Sequence, residues 1–394
     1  MRFQKHFTLA LAALFTAACS GGGGGDWAGS VTDSAGIALV ANPAQGMWGV
    51  GQGWTVEEEL RIGALEGDPE YQFGQVAQGG ITVDSQGRIY VLDQQAQEIK
   101  VYAPDGTYER TIGKRGGGPG ELNGAQFLVM GPGDTLVVPD LGNLRVSKFA
   151  PDGAELGSFP VALENGIPVV FRATPSGIIG EQIRHLDLPN LQTEPDTMDA
   201  VRTIALDGTI TDTLLTFPAG RTFSFGGGTP EFNIYSAEST WDLAEDGGLI
   251  YAINDDYRIR RYDTDGNLQT VITKPFEPKP VSQADQDAVM QFLENAWTDA
   301  GVPPNFIDQL KQGVHFGEIF PAFAALIAGP DGTIWVQHVQ AASELSEEEL
   351  ETYNLLEDAG APQWDVFDAE GRLLGTVTLP TRFAPRMFRD GDIY

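Results

Sequence analysis

The sequence predicts an all-β fold, a six-bladed β-propeller of four-stranded antiparallel blades with small helical insertions. The first observation is a glycine-centred turn followed by a β-branched or aromatic run, which recurs in segments 84–91, 131–138, 174–180, 244–253, 329–337 and 389–394. The second is an Asp-Gly or Glu-Gly turn between apolar runs, which follows the first five copies in segments 102–112, 149–159, 204–215, 262–272 and 367–377. Each unit therefore contains two hairpins, because type I′ turns need the positive φ that glycine tolerates. Repeated four-stranded antiparallel units are typical of a propeller.

The N-terminal residues 1–18 have the composition of an export signal. A basic start precedes an apolar stretch from Phe7 to Ala18, which is shorter than the ~20 residues of a membrane-spanning helix. The sequence at 16–19 resembles the lipobox of bacterial lipoproteins, although Thr16 replaces the usual Leu. We therefore expect Cys19 to be lipidated. Cleavage of a plain signal peptide near Ala18 is the alternative.

The segment 19–30 is predicted to be a flexible linker, because Ser20 and the glycines 21–25 have no side chains that favour order. We expect residues 31–394 to form the propeller as a single domain. By resemblance to known lipoprotein sorting, Ser20 in place of Asp favours the outer membrane. The expected location is the periplasm or the cell surface, with a lipid anchor as the only membrane contact.

The charge balance excludes nucleic acid as a partner. The chain has 24 Lys and Arg against 55 Asp and Glu, a formal net charge of −31, and the export signal contributes only basic residues. Such a field repels nucleic acid and anionic membrane surfaces, and its simplest role is solubility. A single cysteine allows no disulfide within the chain. We expect a monomer.

The repeats assign five complete blades and one incomplete blade. Blades one to five are predicted at 79–113, 126–160, 169–217, 240–273 and 323–379, with a lengthened loop at 184–200 in blade three. Blade six begins at residue 383 and has two strands at most before Tyr394, which leaves open whether the C-terminus is truncated. Because open strand edges favour aggregation, we expect an N-terminal run, 36–42 or 54–63, to pair in blade six.

The spacing between the two hairpins of a unit resembles the NHL repeat. Asp93 is followed by Ile99 and Tyr102, and Asp140 precedes Val146 and Phe149 at the same intervals. The resemblance covers most of residues 79–160 and thins elsewhere. In NHL propellers the matching aspartates brace the turn between the middle strands. The resemblance therefore implies a structural role for Asp93 and Asp140. This role suits the tendency of Asp to accept hydrogen bonds from its own backbone two residues on.

The glycine-rich segment 116–122 allows two interpretations. Next to Lys114 and Arg115 it could hold phosphate, but it lacks the order of a phosphate loop and a β-run follows it instead of a helix. Similar segments at 66–73 and 226–232 also precede a new unit. We therefore predict a joint between blades, in which glycine allows positive φ.

Two insertions interrupt the repeats. Segment 282–300 predicts a helix capped by Ser282, with an apolar stripe of Val289, Phe292, Leu293 and Trp297. Segment 346–359 predicts a second, acidic helix inside blade five. Both should thicken one face of the propeller, where such folds commonly bind ligands.

The histidines outside the export signal are weak candidates for a metal site. In the peptidyl-hydroxyglycine lyase, a six-bladed relative, channel histidines hold zinc, and three imidazoles can leave one zinc position open. His185, His315 and His338 would be the corresponding ligands, although no spacing rule supports them. Gluconolactonase and paraoxonase propellers bind calcium through carboxylate and amide oxygens, which need to converge on one point.

The function expected from the sequence is recognition at the cell envelope, with a protein, peptide or glycan as the ligand and no cofactor. No motif of a nucleophilic or metal-dependent hydrolase occurs, and the sequence identifies no catalytic and no ligand-binding residue. A binding protein is therefore favoured over an enzyme. The alternative is a hydrolase or lyase of the lactonase, esterase or peptidyl-hydroxyglycine lyase type, with calcium or zinc in the channel.

Overall fold

The computed structural model describes residues 27–49, 52–184, 198–219, 223–226, 229–351, 360–381 and 383–394. The chain begins with a hairpin of β1 (Ser30–Ser34) and β2 (Ile37–Ala41). Blade one follows, with β3 (Val76–Val83), β4 (Ile89–Asp93), β5 (Glu98–Tyr102) and β6 (Tyr108–Ile112). Blade two has β7 (Val129–Gly131), β8 (Thr135–Asp140), β9 (Arg145–Phe149) and β10 (Glu155–Pro160). Blade three has β11 (Ile167–Ala173), β12 (Ile179–Arg184), β13 (Met198–Ile204) and β14 (Ile210–Pro218).

The second half of the chain contains the insertions. After β15 (Phe223–Gly226) and β16 (Thr229–Ile234), blade four has β17 (Ser239–Leu243), β18 (Leu249–Ile253), β19 (Arg258–Tyr262) and β20 (Leu268–Thr273). Helices α1 (Gln283–Asp299) and α2 (Pro304–Gln312) and strand β21 (Val314–Phe316) lead to blade five. Blade five has β22 (Ala325–Ala328), β23 (Ile334–Val339), α3 (Glu347–Glu351), β24 (Gly360–Phe367) and β25 (Leu373–Thr378). A hairpin of β26 (Phe388–Arg389) and β27 (Asp392–Ile393) stands at the position of blade six.

This architecture confirms the predicted all-β propeller with a few helices. In blades one to five the four strands pair in chain order as an antiparallel sheet, and they fall within a few residues of the predicted segments. The predicted turn type is wrong in detail. In the turn between β5 and β6 the Gly106 N–H donates to Ala103, and Gly106 has φ +81° while Asp105 does not enter the positive region. This is a three-residue turn with a bulge at glycine, not a type I′ turn.

The core lies between neighbouring blades. Tyr90 and Ile99 of blade one pack with Leu136 and Phe149 of blade two, and Leu122 of the connecting segment completes the same buried cluster. Full burial of such side chains stabilises the fold by roughly 1.5–3 kcal/mol each. A blade is therefore held mainly by its neighbours in the ring.

The two N-terminal runs do not pair as expected. Strand β2 pairs in parallel with β20, the outer strand of blade four, so this sheet has six strands. Val40 is buried in the core between blades four and five, and Asn42 accepts from the N–H of Leu373 at 2.7 Å and donates to the carbonyl of Gly371 at 2.9 Å. The placement of run 36–42 in blade six is thus wrong, because these contacts fix the run to the open edge of blade four.

The second run, 54–63, lies beside blade six but forms no strand there. Trp54 stacks on Trp335 of blade five with 5.8 Å between ring centroids. Ile62 packs against a buried cluster of blade one. The run therefore spans the gap between blades five and one through apolar contacts, and in the described residues blade six is a two-stranded hairpin.

The insertions share one face of the propeller. Because neighbouring strands are antiparallel, the connections after the second and fourth strands of each blade emerge on the same face, opposite the tight turns. Helix α1 has the predicted cap, since the Asp285 N–H donates to Ser282 Oγ at 3.2 Å and the Ser282 N–H to the Asp285 carboxylate at 2.9 Å. The second predicted helix is confirmed at α3, and residues 352–359 lie outside the described chain. Among the described residues, no helix has the length and apolar character needed to cross a membrane.

Candidate functional site

A central channel runs between the blades. Its volume is about 940 Å³, and residues of β3, β7, β11, β17, β22 and β26 line it. These are the inner strands of the five sheets and the inner strand of the blade-six hairpin. Six chain segments that lie far apart in sequence therefore converge on one cavity.

The wall of this cavity contains both apolar and polar residues, and two opposite charges of neighbouring blades stand side by side in it. The register makes Arg172 and Asp242 equivalent, because Ala173 pairs with Ile179 as Leu243 pairs with Leu249. The same position in the other complete blades carries Thr82, Val129 and Ile327. Opposite charges thus stand at one level on neighbouring blades.

The couple is loosely paired. Arg172 Nε lies 3.8 Å from Asp242 Oδ1, and the Arg172 side chain is 40% exposed while that of Asp242 is 12% exposed. Arg172 Nη1 donates to the carbonyl of Phe171 at 3.2 Å. Asp242 accepts at 2.9 Å from the N–H groups of Leu243 and Ala328, the second of which belongs to blade five.

Burial dominates the ionisation of Asp242. It raises the pKa of this carboxyl above the ordinary value of an aspartate, and the Arg172 charge and the two backbone N–H groups oppose the rise only in part. Functional sites frequently contain a carboxyl group that lies in a cavity, has a raised pKa and is close to a cation.

Further charged residues stand around the same cavity: Glu245, Asp331, Arg386, Arg389 and Asp390. Arg389 donates to the carbonyl of Pro175 at 3.2 Å, and its Nε lies 3.5 Å from Asp390 Oδ2. Its guanidinium therefore joins blade six to the turn of blade three. These contacts give Arg389 a bracing role that Arg172 does not have.

Of the three candidate metal ligands, the structure describes His315 and His338 and places them in different parts of the fold. His185 lies outside the described residues, as does Cys19. His315 is exposed on β21, which pairs with β16 outside the ring of blades. His338 is on β23, with Nε2 at 3.0 Å from Asp365 Oδ1. In the part of the chain that the structure describes, no group of three or more His, Cys, Asp and Glu side chains could hold a metal ion.

Asp365 is the centre of a second polar cluster, between blades four and five. Its side chain is 1% exposed, and its Oδ2 accepts from the Tyr257 hydroxyl at 2.7 Å and from Lys274 Nζ. Its Oδ1 accepts from the Thr376 hydroxyl at 3.0 Å and faces His338. Burial alone would raise the pKa of Asp365, but His338 and Lys274 outweigh it and hold this pKa below its usual range.

The aspartates and glycines highlighted by the sequence have structural roles. Asp93 accepts from the N–H groups of Gly74 and Ala96 at 2.8 and 3.0 Å, and Asp140 accepts from the N–H of Asn123 at 3.1 Å. Each brace holds the segment that leads into its own blade.

The glycine-rich segment 116–122 connects β6 to β7, as a joint between blades should. Gly116 N–H donates to the carbonyl of Leu122, and Gly118 N–H to the carboxylate of Glu121 at 2.8 Å. Arg145 of blade two donates to the carbonyls of Gly118 and Glu121. These polar groups of the segment therefore form hydrogen bonds within the protein, as expected of a joint between blades.

Sequence reasoning missed Arg172 and Asp242. The signal was present, because each is a charged residue inside a run that is otherwise apolar, VVFRA at 169–173 and TWDLA at 240–244. A period-2 pattern assigns such a residue to one face of a strand. The pattern does not show that the strand is the innermost one of its blade. That position becomes visible only when the blades are arranged in a ring.

Comparison with family models supports the architecture. Residues 65–140 match the model of a family described as a 6-bladed beta-propeller. The match covers blade one and the first half of blade two, less than half of the chain. No curated protein matches the chain.

Several solved structures of low sequence identity are similar to this chain. An exported protein of Bacteroides fragilis is 12% identical, with 87% of this chain and 80% of that chain covered and a TM-score of 0.45. Virginiamycin B lyase of Staphylococcus aureus, in complex with quinupristin, is 12% identical, with 77% and 70% covered and a TM-score of 0.38. A gluconolactonase of Xanthomonas campestris is 12% identical, with 78% of each chain covered and a TM-score of 0.34.

Proposed function

We propose that this protein is an exported propeller lipoprotein that binds a short peptide in its central channel. The observation that carries the proposal is the cavity of about 940 Å³ to which six segments contribute. Pockets for small ligands commonly measure roughly 300–1,000 Å³, with apolar walls and a few convergent polar groups. The channel has a volume in this range, and its wall presents the charged groups of Arg172 and Asp242 beside apolar residues.

A peptide suits the channel better than a glycan does. The inner strand of each complete blade is an edge strand of its sheet, so the backbone groups of its unpaired edge face the channel. A bound peptide can use such groups for main-chain hydrogen bonds and apolar wall residues for its side chains. A glycan would gain less from apolar wall residues such as Val170 and Ala328, which are partly exposed.

The envelope location rests on the sequence. The basic and apolar start and the lipobox-like residues 16–19 support export and lipidation at Cys19, and ten residues separate Cys19 from β1. We propose the outer membrane, with the propeller on the periplasmic or outer side. Labelling of cells with a palmitate analogue tests lipidation: wild-type protein should incorporate it and Cys19→Ala should not. Equal incorporation would contradict lipidation at this residue.

A plugged channel tests the binding site. Ala173 lines the cavity and is partly exposed, so Ala173→Trp fills the channel, and Ala154→Trp places the same side chain in an exposed turn of blade two. The measurement is thermal stabilisation by a panel of short peptides and oligosaccharides. Peptides that stabilise the wild type and Ala154→Trp should fail to stabilise Ala173→Trp.

A second variant with a filled channel distinguishes loss of the binding site from misfolding of a single variant. Ala328→Trp fills the same cavity from blade five, and circular dichroism checks that each variant is folded. Peptides that bind both plugged variants as they bind the wild type would place the site elsewhere and overturn the proposal. A panel without any binder would also count against it and favour a macromolecular partner on the insertion face.

A further inference from the structure

Arg172 and Asp242 form a donor and an acceptor side by side in the channel wall. They occupy equivalent positions on the inner strands of blades three and four, where the other complete blades carry Thr82, Val129 and Ile327. Both side chains line the cavity, and Nε of Arg172 is 3.8 Å from Oδ1 of Asp242. This separation is beyond hydrogen-bond distance.

Both groups keep capacity for a ligand. A guanidinium has five N–H donors in a planar fork, and the bond to the Phe171 carbonyl uses one of them. A carboxylate has about four acceptor positions, and the N–H groups of Leu243 and Ala328 use two. The couple is thus neither a closed salt bridge nor a saturated network within the described chain.

The Asp242 side chain is only 12% exposed, and burying it is costly unless its carboxylate is fully paired. A charged group removed from water is destabilising unless it is paired and hydrogen-bonded. A ligand that offers a carboxylate to the guanidinium and an N–H to Asp242 would satisfy both groups at once. The two ligand groups must be close together, because Arg172 and Asp242 are.

We infer that the channel recognises the C-terminal residue of a short peptide, with its carboxylate on Arg172 and its backbone N–H on Asp242. This inference rests on the proposed function and specifies its ligand. In a C-terminal residue, the carboxylate and the N–H are attached to the same α-carbon, so they reach two neighbouring groups without strain. Guanidinium and carboxylate also match as a bidentate pair. Val170 and Ala328 line the same cavity, are partly exposed and offer apolar surface to the terminal side chain.

The test compares peptides that differ only in the terminal group. Acetylated tripeptides that end in leucine, valine, phenylalanine or alanine are prepared as free acids and as amides, and binding is measured by isothermal titration calorimetry. The wild type should prefer the acid by on the order of tenfold or more, because the amide loses a charge-assisted pair. Arg172→Gln should abolish this preference, and Arg172→Lys, which keeps the charge but not the fork, should restore part of it.

Arg258→Gln is the matched control. Arg258 is also on a strand, is 48% exposed and has one carboxylate at 3.2 Å, that of Asp256, but it does not line the channel. This variant should keep the full acid preference. Loss of the preference in both variants would indicate a general effect of net charge and overturn the inference.

The outcomes separate this inference from the proposed function. If acids and amides bind equally to the wild type and Ala173→Trp binds neither, the channel is a peptide site but the terminal carboxylate is not recognised. If no peptide binds the channel, the proposed function fails with the inference. If glucuronate oligosaccharides bind through Arg172 and peptides do not, the ligand is an acidic glycan and the inference is overturned.

Discussion

Two buried carboxylates, Asp365 and Asp242, have opposite surroundings in neighbouring regions of the propeller. Asp365 lies between blades four and five and faces four side-chain donors from four different segments: Tyr257, Lys274, His338 and Thr376. Asp242 lies at the channel and has two backbone N–H donors, with its one nearby cation at 3.8 Å. The pKa of Asp365 lies below the usual range, and that of Asp242 lies above it.

The difference separates a structural carboxylate from a binding one. A buried charge with all its positions filled joins the elements that supply its partners, and removal of one partner leaves the others unpaired. A buried charge with free positions costs stability in the unliganded protein, and a ligand can reduce that cost. Asp365 therefore belongs to the interface between blades, whereas Asp242 belongs to the cavity.

Neutralising Asp365 should have the largest effect. Asp365→Asn keeps the shape but leaves Lys274 and His338 beside a neutral amide, and breaking a buried pair in this way typically costs about 3–5 kcal/mol. We expect the free energy of unfolding in urea at pH 7 to fall by about 3 kcal/mol.

The control is Asp256→Asn, which removes the partner of Arg258 at a site where both side chains are at least 40% exposed. It should change stability by less than about 0.5 kcal/mol. A similarly small loss in Asp365→Asn would show that the cluster does not stabilise the blade interface, and the contrast with Asp242 would disappear.

Local patterns explain why blades one and two were predictable from sequence and blade six was not. Within each of blades one and two, the Asp-Gly turn, the alternating apolar runs and one aspartate, Asp93 or Asp140, fall in a segment of about 35 residues, so each unit specifies its own strands. The placement of β2 depends instead on a free edge at β20, more than 200 residues away. No local pattern contains that information.

The site was harder to predict than the fold for a related reason. Arg172 and Asp242 are 70 positions apart and meet only because blades three and four are adjacent. The histidines attracted a metal hypothesis by residue type alone, and His338 instead faces Asp365. Helix α2 was missed although Pro304 stands at its first turn, a favoured position for proline.

The two carboxylates should also respond to acid in opposite senses. An aspartate with a lowered folded pKa contributes stability above its unfolded pKa, about 3.9, and loses it as the pH falls further. The advantage of the wild type over Asp365→Asn should therefore shrink below about pH 4. An aspartate with a raised folded pKa, such as Asp242, destabilises the folded state at neutral pH. This destabilisation is relieved as the pH falls towards about 3.9, because the carboxyl group becomes protonated.

Asp242→Asn should cost about 1–3 kcal/mol at pH 7, because the two carboxylate oxygens each accept from a backbone N–H and an amide nitrogen cannot accept. This deficit should grow as the pH falls towards about 3.9, because protonation relieves the wild type and leaves the variant unchanged. The groups that face Asp242 are Arg172 and the N–H groups of Leu243 and Ala328, and other charges line the cavity: Glu245, Asp331, Arg386, Arg389 and Asp390. Urea unfolding at several pH values measures both profiles. Parallel profiles for the two variants would show that the carboxylates do not differ.

The smallest effect on stability should come from Arg172 itself. Arg172→Gln removes a side chain that is 40% exposed and lies 3.8 Å from its counter-ion, so the unliganded protein should lose less than about 0.5 kcal/mol. Arg184→Gln provides the comparison within the same blade, because Arg184 donates to both oxygens of Asp199 at 3.0 and 2.9 Å and Asp199 is fully buried. This loss should be about 2 kcal/mol. Equal losses would mean that Arg172 braces the blades as Arg184 does. Because a bracing guanidinium is not available to a ligand, that result would also remove the physical basis for carboxylate recognition in the channel.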